Sequence, residues 1–243
     1  MTTILLGGAI VCLTHILEAI TGFGASVLAV PFLTMIFGVK VAVQMISILT
    51  WIFTLTIAIR NYRQIVWKQW IIITAFVFAG LPIGMYLFRS QQSESLFLIL
   101  AIFILTTSLI QIIRLIKNYQ VPAEKKIGVG PYLLLTAGGV IHGIFSSGGP
   151  LIIFYTRRAL PEKSQFRATL CLLWATLNTI IIATYGFEGS LEPTTLKATA
   201  LMLPFIIVGY FIGNHIHDRI DERNFSFVVF SMLFLTGIFM LTL

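Results

Sequence analysis

The sequence predicts an all-α integral membrane protein. Eight long apolar segments form two inverted repeats of four, and the first segment of each repeat is broken into a hairpin with a glycine-rich tip near the bilayer midplane. Three observations lead there. The 243 residues are 58% hydrophobic and only 10% charged, against about 25% charged in a soluble domain. Apolar stretches of roughly the 20 residues needed to cross a bilayer recur along the whole chain. Two of them are interrupted, by "EAITGFGASVLAVPF" at 18–32 and by "HGIFSSGGPLI" at 142–152.

In order, the segments are 3–37, 41–59, 70–88, 96–113, 130–155, 168–185, 198–216 and 225–243. The first lacks the basic start of a signal peptide and carries His15 and Glu18 inside its apolar run, so it reads as mature protein. A proline and five charges mark 114–128 as the one linker-like piece. The repeats are therefore 1–116 and 129–243, joined by a cytoplasmic linker at 117–128. Internal similarity agrees. At one offset His15 matches His142, Gly22 matches Gly149 and Lys40 matches Arg167; at an offset two residues longer, Gly80 and Gly84 match Gly209 and Gly213.

The charges select the hairpins. If every segment crosses once, the 16 Lys and Arg divide evenly, contrary to the cytoplasmic excess that orients membrane proteins. Folding the first and fifth segments as hairpins leaves only Lys40, Arg89 and Lys197 on one side. At about 1.5 Å per residue, 3–37 as one helix would also overshoot a bilayer of about 30 Å. The expected protein is multi-pass in the cell (inner) membrane. Arg63, Lys125 and Lys163 face the cytoplasm, while Gln91, Ser190 and both termini lie outside.

Non-helical backbone at membrane depth survives only where protein buries it or a wet cavity adjoins it. Glycines at Gly22, Gly24, Gly148 and Gly149 are expected to supply positive φ and close approach. Pro150 suits the first turn of a new helix, with Ser147 its cap. Each hairpin's second helix then starts at the tip and aims unpaired N–H groups inward, an anion site built mostly of backbone. Broken helices of inverted repeats meeting at the midplane are how many secondary transporters hold substrate. Small residues also serve close helix packing, and Gly80, Gly84, Gly209 and Gly213 are assigned to that.

"GFGASVLAVPFL" and "GGVIHGIFSSGGPLIIFY" resemble the paired glycine-rich signatures of the TauE/SafE sulfite exporter family, over nearly the whole chain. Ala25 and Ser26 stand where that family often has further glycine. The resemblance implies a permease for sulfite, organosulfonates or related small anions, commonly driven by an ion gradient.

The substrate-binding candidates are Thr21, Gly22, Gly24, Ser26, Ser146, Ser147, Gly148, Gly149 and Asn178. His15, Glu18 and His142 are ionisable groups inside the membrane, where such groups usually face a cavity or a partner; they are the candidates for coupling to protons. Structural roles for His15 and Glu18 stand beside that reading. Lys40 and Arg167 flank the hairpins and either attract anions or snorkel at helix ends. Cys12 and Cys171 lie in apolar segments without metal-ligand spacing and read as small buried residues. No cofactor, metal site or catalytic residue is expected, because the chain has no nucleotide loop and no nucleophile–base pair. The net charge of +7 lies in short loops beside helices, a topology signal, so nucleic acid is not a partner. The partners are a small anion and the bilayer. The leading function is an anion exporter working by alternating access, and the alternative is a passive anion channel.

Overall fold

The computed structural model describes residues 2–117, 128–216 and 222–242. Among them run ten α-helices: α1 (Thr2–Thr21), α2 (Ala25–Phe37), α3 (Val39–Arg60), α4 (Trp67–Ser90), α5 (Ser93–Ile116), α6 (Val129–Phe145), α7 (Gly149–Ala159), α8 (Lys163–Phe187), α9 (Pro193–Ile216) and α10 (Glu222–Thr242). Most of the expected linker, with Lys125 and Lys126, lies outside the described residues, as does Arg219. Six of the helices, α1, α3, α4, α5, α8 and α9, are long and apolar enough to cross a membrane. Eight long segments were the expectation; the fifth is divided into α6 of 17 residues and α7 of 11, each too short alone.

Both expected breaks are present. After α1, Gly22 (φ 81°) and Gly24 (φ 109°) take left-handed backbone, which would cost a residue with a Cβ roughly 1–2 kcal/mol. The second break differs in detail. Its positive φ falls on Ser146 (φ 52°), not on Gly148 or Gly149; the Ser146 N–H donates to the His142 carbonyl at 2.7 Å and closes α6. Gly148 is right-handed, and its need for glycine is steric: a Cβ there would strike the Gly138 carbonyl and come within 2.9 Å of His142 Cβ. Ser147 is not the cap, since its hydroxyl donates to the Phe145 carbonyl at 2.9 Å and Gly148 takes the cap position. Pro150 does sit in the first turn of α7.

Two seams hold the helices with backbone against backbone. On α4, a Cβ at Gly80 would strike the Thr136 carbonyl of α6, and one at Gly84 the Val140 carbonyl; Gly139 answers from α6 against Val77. On α9, Gly209 lies against the Cys12 carbonyl of α1 and Gly213 against Ile16. Residue numbers climb together in both pairs, so α4 runs parallel to α6 and α1 parallel to α9. The third seam is antiparallel. Gln44 of α3 donates to the Ser190 carbonyl just past α8 at 3.2 Å, Trp51 to Thr179 of α8 at 2.8 Å, and the Val66 N–H, just past α3, to Thr169 at 3.0 Å. Further packing joins α1 to α2, α6 to α7 and α5 to α10. Exchanging the first five helices for the last five maps α1–α9 onto α6–α4 and returns α3–α8 and α5–α10 to themselves.

Side chains pointing away from these seams are apolar as well. Ile71, Phe78 and Ile83 of α4 and Ile207, Val208 and Phe211 of α9 are exposed, a surface suited to hydrocarbon. Arg89, at the end of α4, forms an ion pair with Glu188, just past the end of α8.

Candidate functional site

The two breaks converge. Glu18, Gly24 and Ser26 from the α1–α2 tip face His142, Ser146, Ser147 and Gly149 from the α6–α7 tip across a narrow cleft of about 10 Å³, room for about one water. Val27, Thr50 and Trp174 complete the lining. Thr50 and Trp174 are each the twelfth residue of their helix, in α3 of 22 and α8 of 25 residues, so the cleft lies level with the middle of both. Its walls are well inside the protein, with Glu18, Ser26, Thr50, His142, Ser146, Ser147 and Trp174 all buried.

Long-range bonds hold the tips in place. Trp174 Nε1 donates to the Gly22 carbonyl at 3.1 Å, and Ser47 of α3 shares a 2.6 Å hydrogen bond with Ser146. Ser26 and Thr50 hydroxyls stand 3.4 Å apart. By helix geometry, the first-turn N–H groups of α2 have no acceptor within their own helix; in α7 Pro150 has no N–H and Leu151 donates to the Gly148 carbonyl at 3.2 Å, which leaves the Gly149 N–H. Gly149 presents bare backbone to the cavity; a Cβ there would lie 3.6 Å from Phe23 and 3.9 Å from Trp174, which is ordinary contact.

The cleft and the side chains just behind it leave several buried polar groups unsatisfied. Glu18 Oε2, both ring nitrogens of His142 and both amide atoms of Asn178 have no hydrogen-bond partner, although nearly all buried polar groups in proteins do. His142 stacks on Trp174, with centroids 5.3 Å apart. Asn178, one turn beyond Trp174 on α8, is fully buried beside His142, yet no amide atom meets a ring nitrogen in hydrogen-bond geometry. The arrangement supplies N–H donors, hydroxyls and a carboxyl oxygen without a partner around one small cleft. That suits a small polyatomic anion and an accompanying proton.

The remaining candidates fall nearby rather than in the lining. Thr21 uses its hydroxyl on the Leu17 and Phe23 carbonyls, at 2.9 and 2.6 Å, and shapes the turn. Gly22 faces Arg167 of α8, and Gly148 faces Gly138 of α6. His15 donates from Nδ1 to the Val11 carbonyl at 2.8 Å and packs edge-on against Phe53. The sequence reading missed Thr50 and Trp174. Trp174 left a signal: a tryptophan in mid-segment is misplaced for an interface anchor. Thr50 left none.

A family model described as sulfite exporter TauE/SafE matches residues 7–240. A probable inner membrane transporter protein TsaS of Comamonas testosteroni is 22% identical over 179 residues, covering 73% of each chain. A probable sulfite/organosulfonate exporter TauE of Cupriavidus necator is 21% identical over 113 residues, 46% of this chain and 44% of its own. No solved structure matches the chain.

Proposed function

The chain belongs to the sulfite exporter TauE/SafE family, and on that premise we propose that it is a secondary transporter that exports sulfite, organosulfonates or similar small anions by alternating access. The observation that carries this is the meeting of two broken-helix tips from different hairpins around one small cleft lined by buried polar side chains. So little open space between the tips suits a gated carrier, which a passive channel does not require. The relatives' descriptions as an inner membrane transporter and a sulfite/organosulfonate exporter supply the substrate class and the inner-membrane location.

In this reading 1–116 and 129–243 are inverted repeats and 117–128 is the cytoplasmic linker. Support comes from the packing pairs that exchange with one another, and from contacts at the hairpin mouths. Gly7 of α1 lies by Phe37 at the end of α2. Tyr155 of α7 donates to Gln69 at the start of α4, and its ring packs at a tilt against Tyr132 at the start of α6. Helix directions then gather Lys40, Arg89 and Lys197 at one face, and Arg63 and Lys163 at the other, which the positive-inside rule makes cytoplasmic.

The anion sits between the tips, held by first-turn N–H groups of α2 and the Gly149 N–H of α7 with Ser26, Ser146 and Ser147, and Asn178 stands behind. Its negative charge is favoured there by two helix N-termini. Glu18 is the proton carrier, since a carboxylate without a partner is costly at this depth; His142, and His15 one turn from Glu18, assist it. Uptake into proteoliposomes tests the function, using a panel of sulfite, organosulfonates and carboxylates with and without a pH gradient. Sulfur oxyanions should be carried in preference to carboxylates, and Gly149→Val should abolish transport while inserting normally. Equal permeation of all anions without saturation supports a channel instead.

A further inference from the structure

Arg167 is the feature the tip cavity leaves unexplained. It is only 9% exposed. Among the described residues its Nε has no hydrogen-bond partner, and the one side-chain bond it makes runs from Nη2 to the amide oxygen of Asn214 on α9, at 3.3 Å. Among the described residues no carboxylate lies within ion-pair range of it. A buried guanidinium without an anion is strongly disfavoured in protein and more so in a bilayer. The fold nevertheless makes room for it: a Cβ on Gly22 would lie 2.8 Å from Arg167 Cα and 3.1 Å from its Cγ. The glycine tip is thus moulded around an arginine stem.

Its position along α8 is equally informative. Arg167, Cys171, Trp174 and Asn178 recur at helical spacing and share one face of α8. Trp174 lines the tip cavity, and Arg167 precedes it by two turns, about 10 Å along the axis. Lys163, one turn earlier still, opens the helix. The residue matched to Arg167 in the first half is Lys40, and that lysine is exposed. Of this matched pair, the buried cation therefore stands on one side of the cavity and the exposed one on the other.

We propose that Arg167 is a second anion station, a waiting site on the Lys163 side of the tip cavity that captures the small anion before it reaches the tips. The inference rests on the transporter reading above. A planar fork of N–H donors, partly unpaired, matches a sulfur or phosphorus oxyanion or a carboxylate. Because only one half of the chain carries such a station, capture is tighter from the Lys163 face than from the opposite one.

Sulfite is the probe, presented to sealed vesicles of known orientation. Arg167→Gln raises the half-saturating concentration on the order of tenfold from the Lys163 face, the size expected when a hydrogen bond to a charged group is lost, and leaves the opposite face unchanged. Arg167→Lys, which keeps the charge but not the fork, shows a smaller rise and carries the test if Arg167→Gln does not fold. Asn214→Ala stays near wild type. Binding to Gly149→Val, whose tip cavity is filled, persists weakly, and the added Arg167→Gln removes it. Wild-type kinetics from the Lys163 face in Arg167→Gln, or the same loss in Asn214→Ala, overturns the proposal and leaves Arg167 as a tie between α8 and α9. Full wild-type binding by Gly149→Val would instead count against the tip site, so the two failures are distinguishable.

Discussion

Replacing Gly149 by alanine adds one methyl group to the wall of the tip cavity, and the structure says what that methyl meets. Its nearest neighbours are Phe23 at 3.6 Å and Trp174 at 3.9 Å, with no backbone in the way, and Gly149 is not among the positive-φ glycines. The substitution should not destabilise the fold; alanine is better than glycine in a helix by up to about 1 kcal/mol. Transport should suffer, because the methyl occupies the approach to the first-turn N–H groups. Each hydrogen bond to a charged group that is lost removes about 1.5–3 kcal/mol, tenfold or more in affinity. Gly148→Ala is the contrast. Its Cβ would drive into the Gly138 carbonyl and the His142 side chain, and overpacking of that kind costs about 1–3 kcal/mol. Thermal unfolding in detergent, paired with sulfite flux in proteoliposomes, reads both. Gly149→Ala should melt no lower than wild type and carry sulfite at least tenfold less well at low concentration; Gly148→Ala should melt lower. Wild-type flux from a stable Gly149→Ala protein would refute the placement of the anion between the tips.

Three further outcomes are expected. Glu18→Gln should bind sulfite nearly as wild type while its flux no longer responds to a pH gradient; an unchanged response in vesicles makes Glu18 structural. Ser147→Ala should weaken sulfite binding modestly, since one neutral hydrogen bond contributes about 0.5–1.5 kcal/mol, and a titration showing no change would remove Ser147 from the site. Single cysteines at Arg63 and Lys163 should resist an impermeant thiol reagent in intact cells while those at Gln91 and Ser190 react, and reaction at Lys163 but not Arg63 would break the second hairpin.

The breaks in the helices were legible because glycine and proline punctuate locally: the ends of α1 and α6 fall where "TGFG" and "SSGGP" stand. The packing glycines were legible for a similar reason, their spacing of one turn being a local pattern. Which element closes the cavity was not legible, because Thr50 and Trp174 reach the tips only through the antiparallel seam of α3 and α8. Backbone detail also escaped. Ser146 takes the left-handed conformation because its N–H closes α6 onto His142, leaving the glycines at 148 and 149 for close approach and bare surface. Arg167, read as an anion attractant or a snorkelling charge, is buried because of a glycine far away in sequence.

The glycine seams have a consequence for how the molecule can move. Helices that meet carbonyl to Cα have little freedom to separate, so α1 travels with α9 and α4 with α6. Each such pair takes one member from either half of the chain. Under the proposed alternating access the rigid bodies would then be hybrids, and a hinge at the middle of the sequence would not rock one half against the other. A gene cut at that point would yield two fragments, each with bare glycine ridges facing lipid, able to work only after finding one another.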